Sequence, residues 1–155
     1  MKGAYVVLLG LLALALGVAV IIWPKPQAQV LDLSTAVADI EAGRGLFAQS
    51  CAACHGTNLE GQPNWQSPGP DGRLPAPPHD ETGHTWHHAD TMLFEYTKLG
   101  GRAKMAQSGL DFESGMPGFG EVLTDQEIWN ILAYIKSTWP TRFQEIQAER
   151  SRAEN

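Results

Sequence analysis

Cysteine is scarce in this chain of 155 residues, and runs of basic residues and alternating strand patterns are absent from it. The only cysteines are Cys51 and Cys54, which excludes the disulfide scaffold of small secreted proteins, since that scaffold needs four or more. The 17 acidic residues outnumber the 11 Lys and Arg residues, so a protein that binds nucleic-acid phosphates is also excluded. Without a strand pattern, the chain is predicted to be all-α.

The first two dozen residues form a long apolar stretch, with no charged residue between Lys2 and Lys25. About 20 such residues in a helix cross a hydrocarbon core of about 30 Å. A cleaved signal peptide usually has a shorter apolar core and ends in a small-x-small site, whereas Trp23 and Pro24 follow here. We therefore expect residues 1–24 to be a retained transmembrane anchor.

Three further segments are predicted beyond the anchor. Residues 25–33 lack a strong apolar period and are expected to be a linker. Residues 34–139 are expected to form one domain, because a chain of this length has room for a single modest core. Residues 140–155 are highly charged and lack a wide apolar face, so we expect a frayed or solvated tail.

The first helix of the domain is predicted to begin at Ser34, a favourable N-cap residue, and to run toward Cys51. Within it, Gly43 and Gly45 each lower the helix propensity by about 1 kcal/mol relative to Ala. A close crossing with another helix would explain such a glycine.

Two more helices are predicted toward the C-terminus. One runs from about Ala89 to Leu99 and ends at a pair of glycines. The other is the best defined, because Thr124 and Glu127 form a capping box and a helical apolar pattern continues until Pro140.

Residues 56–85 contain many prolines and glycines and have no sustained period, which predicts neither a helix nor an ordinary strand. A stretch this long without secondary structure usually serves a function. Because the predicted helices leave little protein surface to bury, a large apolar cofactor would complete the core.

Residues 51–55, Cys-Ala-Ala-Cys-His, form the strongest functional motif. Two thiols at this spacing can bond the two vinyl groups of one haem, while the next imidazole reaches its iron. A dithiol redox pair would need a βαβ setting, which is not predicted, and a zinc site would need two more ligands. The candidates for those ligands are the other histidines, a cluster that could also bind copper or zinc: His79, His84, His87 and His88.

With this motif, the chain resembles the class I cytochrome c family over roughly residues 37–139. Three blocks carry the resemblance: Gly43 with Phe47, residues 115–119 (Gly-Met-Pro-Gly-Phe), and residues 131–136. They match the N-terminal helix, the distal loop and the C-terminal helix of that family. In the family these two helices cross at the glycine, which implies contacts of Gly43 with Tyr134 and Phe47.

The resemblance implies a cytochrome c fold of three or more helices around one covalently bound haem c. Cys51 and Cys54 would bind the haem covalently, and His55 and Met116 would be the axial ligands of its iron. The other ring nitrogen of His55 is expected to donate to the carbonyl of one of two prolines, Pro77 or Pro78. Several polar side chains, Trp86 among them, could contact the haem propionates or lie at the surface.

Met116 is expected to be the sixth ligand rather than Met105 or Met92. Gly115 permits a close backbone approach, and Pro117 fixes φ and stiffens the loop. Met92 is predicted to pack within a helix. Met105 follows the glycine pair in a predicted loop and is a competitor for the role.

An iron with His and Met ligands leaves no position for a small-molecule substrate, so electron transfer is expected rather than catalysis. The expected protein is a membrane-tethered carrier between a quinol-oxidising complex or dehydrogenase and a terminal acceptor such as an oxidase. The alternatives are a permanent cytochrome c subunit of a larger membrane oxidoreductase and a haem enzyme or gas sensor, which would need an open iron. The resemblance also implies haem attachment outside the cytoplasm, with the N-terminus inside and the haem domain in the periplasm of a bacterial inner membrane.

Overall fold

A computed structural model describes residues 38–154 of the chain. Its helices are α1 (Ile40–Ser50), α2 (Ala52–His55), α3 (Asp90–Leu99), α4 (Gly101–Gln107), α5 (Asp125–Ser137) and α6 (Thr141–Glu154), with a short 3₁₀ helix at Thr85–His87. Residues 38–154 contain no strand, as the all-α prediction requires.

The predicted anchor, residues 1–24, and the predicted linker, residues 25–33, lie outside the described residues. Across residues 38–154, no helix has both the length and the apolar character needed to cross a membrane. The anchor therefore stays a prediction from the sequence.

Helix α1 begins later than predicted, since Ala38 and Asp39 before it are not helical, and the predicted N-cap, Ser34, lies outside the described residues. Its first residue is Ile40, and the Asp39 carboxylate caps it by accepting from the N–H of Ala42 at 3.0 Å. Asp and Ser are equally good N-caps, so propensity does not separate the two positions. The N–H of Asp39 also donates to Asn130 Oδ1 of α5 at 3.0 Å, and this tertiary contact favours the later start.

Helices α1 and α5 cross at Gly43, as the glycine predicts. A Cβ at Gly43 would lie 2.0 Å from the backbone oxygen of Asn130 and 3.1 Å from the backbone nitrogen of Ile131. The glycine therefore meets the backbone of α5 rather than the Tyr134 ring that the sequence implied. Tyr134 instead packs on Phe47, with ring centroids 5.6 Å apart.

We expect Gly43→Ala to lower the free energy of unfolding by about 1–3 kcal/mol, because the new methyl group overpacks the crossing. Gly45→Ala is the matched control, since a Cβ at Gly45 would have no neighbour within 4 Å. The control should raise the free energy of unfolding by about 0.5–1 kcal/mol through helix propensity. Denaturant unfolding of both variants measures these differences, and equal effects at the two glycines would contradict the crossing.

Helix α5 matches its prediction. Thr124 and Glu127 form the capping box, in which the Glu127 N–H donates to Thr124 Oγ1 and the Thr124 N–H donates to the Glu127 carboxylate. The predicted apolar face is buried: Ile128, Ile131, Leu132 and Ile135.

Helix α3 also matches, but the chain then forms α4, which the sequence analysis missed. Gly100 has φ of +85°, which ends α3 and turns the backbone. A Cβ at Gly101 would clash with Tyr96 and Ser114, so the turn packs tightly. Helix α4 lacks an apolar period, and its position depends on this packing.

The predicted solvated tail is helical from Thr141 to Glu154, so the expectation of a frayed segment is wrong. Gln147 is fully buried and its amide donates to Asp90 Oδ1 at 2.7 Å and to the His88 carbonyl at 3.2 Å. Lys136 Nζ contacts the same Asp90 oxygen at 2.7 Å. The ring of Phe143 also packs on Trp86, with centroids 4.6 Å apart, so one polar and one aromatic contact dock a helix that has no wide apolar face.

Candidate functional site

The cysteine–histidine motif comprises Cys51, where α1 ends, and the single-turn helix α2. The Cys51 N–H donates to the Phe47 carbonyl at 2.9 Å and ends α1, and the His55 N–H donates to the Cys51 carbonyl at 3.0 Å. Cys51 is half-buried, Cys54 is exposed, and the His55 side chain is buried. Both thiols and the imidazole therefore project from a single rigid turn.

The Cys51 thiol is not activated as a catalytic thiol of a redox dithiol would be. Burial, and secondarily the charge of Cys54, raise the pKa of Cys51 to about 11. The reactive form in thiol–disulfide exchange is the thiolate, and catalytic cysteines have a lowered pKa. A neutral Cys51 thiol at pH 7 weighs against the dithiol alternative.

The histidine cluster does not form a metal site in the described part of the chain. Among residues 38–154, no three His, Cys, Asp or Glu side chains are placed to hold one metal ion. His84 stacks on Trp65 with ring centroids 5.3 Å apart, and His87 stacks on Trp86 at 3.6 Å. The zinc alternative and a separate copper or zinc site therefore have no support in this region.

The His55 imidazole is held by a backbone carbonyl. Its Nδ1 lies 2.9 Å from the oxygen of Pro77, one of the two predicted partners. A carbonyl can only accept, so Nδ1 carries the proton and Nε2 keeps a free lone pair. Burial lowers the pKa of His55, while the hydrogen bond to Pro77 opposes this shift. A neutral imidazole with a free Nε2 is the form that binds a metal.

The proline-rich loop, residues 56–85, positions that carbonyl. The Gly61 N–H donates to the His55 carbonyl at 2.8 Å, and the His79 N–H donates to the Leu59 carbonyl at 2.7 Å. Gly61 has φ of +68°, and a Cβ there would lie 2.4 Å from the backbone nitrogen of Pro78. Only glycine suits this position, where the loop folds back beside the motif.

The contact of His79 with His55 is the main feature of the site that the sequence analysis missed, since His79 is considered there as a zinc or copper ligand. Its ring stacks on His55, with centroids 4.0 Å apart and planes inclined by 25°. Burial, with smaller effects of His55 and His84, lowers the pKa of His79 well below its usual value. The ring is therefore neutral at pH 7. The only signal in the sequence is its place two residues after Pro77.

Met116 lies on a separate loop that packs on the junction of α3 and α4. The Gly101 N–H donates to the Met116 carbonyl at 3.2 Å. A Cβ at Gly100 would lie 2.6 Å from the backbone nitrogen of Gly118. The loop therefore packs backbone against backbone, which fixes the position of Met116.

Met116 lines an open cavity of about 350 Å³. The other lining residues are Leu99, Gly100, Arg102, Ala103, Ala106, Pro117 and Gly118. Met105 is not among them and lies in α4 rather than in the predicted loop. Met92 lies in α3, as predicted. The structure thus brings Cys51, Cys54 and His55 together on one turn and places Met116 at a cavity that these three do not line.

Two further observations fit a haem bound to these residues. The apolar core of the described residues is small: Phe47, Leu59, Ala89, Ile128, Ile131, Leu132, Ile135 and Trp139. Trp86 Nε1 is buried and, among residues 38–154, has no hydrogen-bond acceptor. A buried donor of this kind suits a carboxylate such as a haem propionate. The site therefore offers two thiols, a neutral imidazole, a thioether and an anion donor.

Comparison with known proteins identifies a family and several relatives with similar sequences. The family model described as cytochrome c matches residues 40–139. The cytochrome bc1 complex cytochrome c subunits of Mycobacterium bovis and Mycobacterium tuberculosis are 44% identical to the chain over 59 residues, which is 38% of this chain and 21% of theirs. The subunit of Mycobacterium leprae is 42% identical over 48 residues, or 31% of this chain and 16% of its own. The chain thus spans about a fifth of the length of these relatives. No solved structure shows a significant match.

Proposed function

The chain belongs to the cytochrome c family, and on this premise we propose that it is an electron carrier, not an enzyme, with one covalently bound haem c. The observation that carries the proposal is the turn that holds both thiols beside His55, whose Nδ1 is 2.9 Å from the Pro77 oxygen. The chain has a single Cys-x-x-Cys-His motif and two cysteines, so it can bind one haem through two thioether bonds.

Four residues would hold the haem: Cys51 and Cys54 through thioether bonds, and His55 and Met116 as axial ligands. When bound, the haem supplies one-electron oxidation and reduction, and His and Met ligation raises its potential and leaves no open position for a substrate. Pro77 fixes the tautomer of His55.

We further propose that residues 1–24 anchor this domain to a bacterial inner membrane, with the N-terminus in the cytoplasm and the haem domain in the periplasm. The support is the uncharged stretch between Lys2 and Lys25, which is long enough to span the bilayer.

The anchor predicts that the mature protein in the membrane fraction keeps its N-terminal residues, because no small-x-small cleavage site follows the apolar stretch. Intact-mass measurement of the detergent-extracted protein checks this. A soluble periplasmic chain beginning near Gln27 or Gln29 would contradict the anchor.

The direct partners in this proposal are a quinol-oxidising complex as donor and a terminal acceptor such as an oxidase. Residues 34–139 contain 13 acidic and 6 basic residues, so the partner surfaces should be basic and association should weaken with salt. Ordinary solubility would explain the acidic surface equally well.

A second arrangement, a permanent subunit of a membrane oxidoreductase, is favoured by the name of the relatives, which are subunits of a cytochrome bc1 complex. Purification from membranes in mild detergent separates the two arrangements. Recovery in fixed ratio with a quinol-oxidising complex supports the subunit. Recovery of the haem protein alone supports the tethered carrier.

A further inference from the structure

We propose that His79 is a positioning residue that sets the plane of the His55 imidazole. The proposal deepens the proposed function and rests on it, because it takes His55 to be an axial ligand of the haem iron. The His79 side chain would contact His55 and would not bind the haem iron.

The first argument is geometric. The hydrogen bond from Nδ1 to the Pro77 oxygen, 2.9 Å long, is the one polar contact of the His55 ring among the described residues. A single hydrogen bond still lets a ring tilt about the donor–acceptor axis. The His79 ring lies against the His55 face, with centroids 4.0 Å apart and planes inclined by 25°, and so restricts this tilt.

The second argument is that His79 is itself fixed at three points. Its Nδ1 shares a hydrogen bond of 2.8 Å with the hydroxyl of Thr85, which is buried. Its N–H donates to the Leu59 carbonyl at 2.7 Å, and its carbonyl accepts from Trp139 Nε1 at 2.6 Å. These bonds hold both the ring and the backbone of His79 in place. The support for His55 therefore extends to Trp139, two residues beyond the end of α5, and to the proline-rich loop, residues 56–85.

The contact with His79 would affect function through the orientation of the His55 ring, the proposed axial ligand. Groups that surround a metal-bound histidine fix its ring and tune the metal. In a ferric haem protein whose other axial ligand is unchanged, a rotation of the axial imidazole plane changes how the unpaired spin is shared among the pyrrole rings. The order of the haem methyl resonances in a paramagnetic NMR spectrum therefore reports the plane of the His55 ring, independently of electron-transfer activity.

The test uses the full, haem-loaded chain and three substitutions. His79→Leu removes the stacked ring, and His79→Phe restores a flat ring without the hydrogen bond to Thr85. Thr85→Val keeps His79 and its surroundings but removes the hydroxyl that fixes its ring. His84→Leu is the matched control, because His84 is exposed and stacks on Trp65, for which no contact with the haem is proposed.

We expect His79→Leu to change the order or spread of the haem methyl resonances and to shift the midpoint potential. The spectrum of His79→Phe should lie closer to that of the wild type. Thr85→Val should shift the spectrum in the same direction as His79→Leu by a smaller amount, and His84→Leu should leave it unchanged.

An unchanged spectrum and potential in His79→Leu would overturn the proposal. If His79→Leu does not load haem, Thr85→Val provides the test instead. An unchanged spectrum in Thr85→Val would then overturn the proposal. A wild-type spectrum without histidine ligation would show that the proposed function fails, whereas normal ligation with insensitive variants removes only the role of His79.

Discussion

Replacement of Met116 by alanine is expected to lower the reduction potential by more than about 60 mV, which for one electron is a tenfold change in the equilibrium constant. Methionine ligation stabilises the reduced iron, so its loss favours the oxidised form. The variant should also bind carbon monoxide, because one axial position becomes open, and its ferric form should lose the absorption band of the sulfur-to-iron charge transfer.

The effect of Met116→Ala can be assigned to the loss of the thioether, because the loop is held by backbone atoms of Met116. The Met116 carbonyl accepts from the Gly101 N–H at 3.2 Å, and its N–H donates to Ser114 Oγ at 3.2 Å. Alanine keeps both contacts, so the loop should keep its fold while the thioether is lost. Redox titration and carbon monoxide difference spectra measure the effect.

Met105→Ala is the matched control, since Met105 lies in α4 and does not line the cavity beside Met116. It should leave the potential and the charge-transfer band unchanged. If the band survives in Met116→Ala but disappears in Met105→Ala, the assignment of the sixth ligand is wrong, although electron transfer would remain the proposed function.

The double substitution Cys51→Ala with Cys54→Ala is expected to abolish covalent haem binding and to leave an unfolded or degraded domain. Eight buried apolar residues among residues 38–154 form a small core for a domain of this size, so a bound haem would supply much of the buried apolar surface that stabilises the fold. Haem staining on a denaturing gel and the protein yield report the two effects.

The single variants Cys51→Ala and Cys54→Ala serve as controls, because each retains one thioether. Each should impair haem retention, with less loss of folded protein than the double variant shows. A wild-type chain that carries no haem and binds zinc through Cys51 and Cys54 would overturn the haem assignment.

The features of the fold that the sequence predicts are those with a local signal. The capping box at Thr124 and Glu127 and the apolar face of α5 need only neighbouring residues. The crossing at Gly43 is also predictable, because a glycine inside a helix is unfavourable unless another backbone lies close. Its partner in the structure is the backbone of Asn130, and a side-chain pattern cannot show such a contact.

The features that the sequence analysis missed depend on tertiary contacts. Helix α6 has little apolar surface and is docked by the buried amide of Gln147, a residue type that is usually exposed. Helix α4 begins directly after the Gly100 turn, where two glycines indicate a stop. Ser34 and Asp39 are equivalent as N-caps, and a contact with α5 favours the second.

The residues of the candidate site also form two groups, those that the sequence predicts and those that only the fold brings together. The motif of Cys51, Cys54 and His55 and the carbonyl of Pro77 follow from sequence and resemblance. His79 does not, because a histidine in a polar loop is usually solvated, and only the fold of residues 56–85 places its ring 4.0 Å from His55.

The central claim is that one haem is covalently bound through Cys51 and Cys54. Intact-mass measurement of the full chain under denaturing conditions, with thiol alkylation, tests it most directly. We expect the mass of the polypeptide plus one haem and no alkylated cysteine. A mass equal to the polypeptide alone, with both cysteines alkylated, would contradict the account.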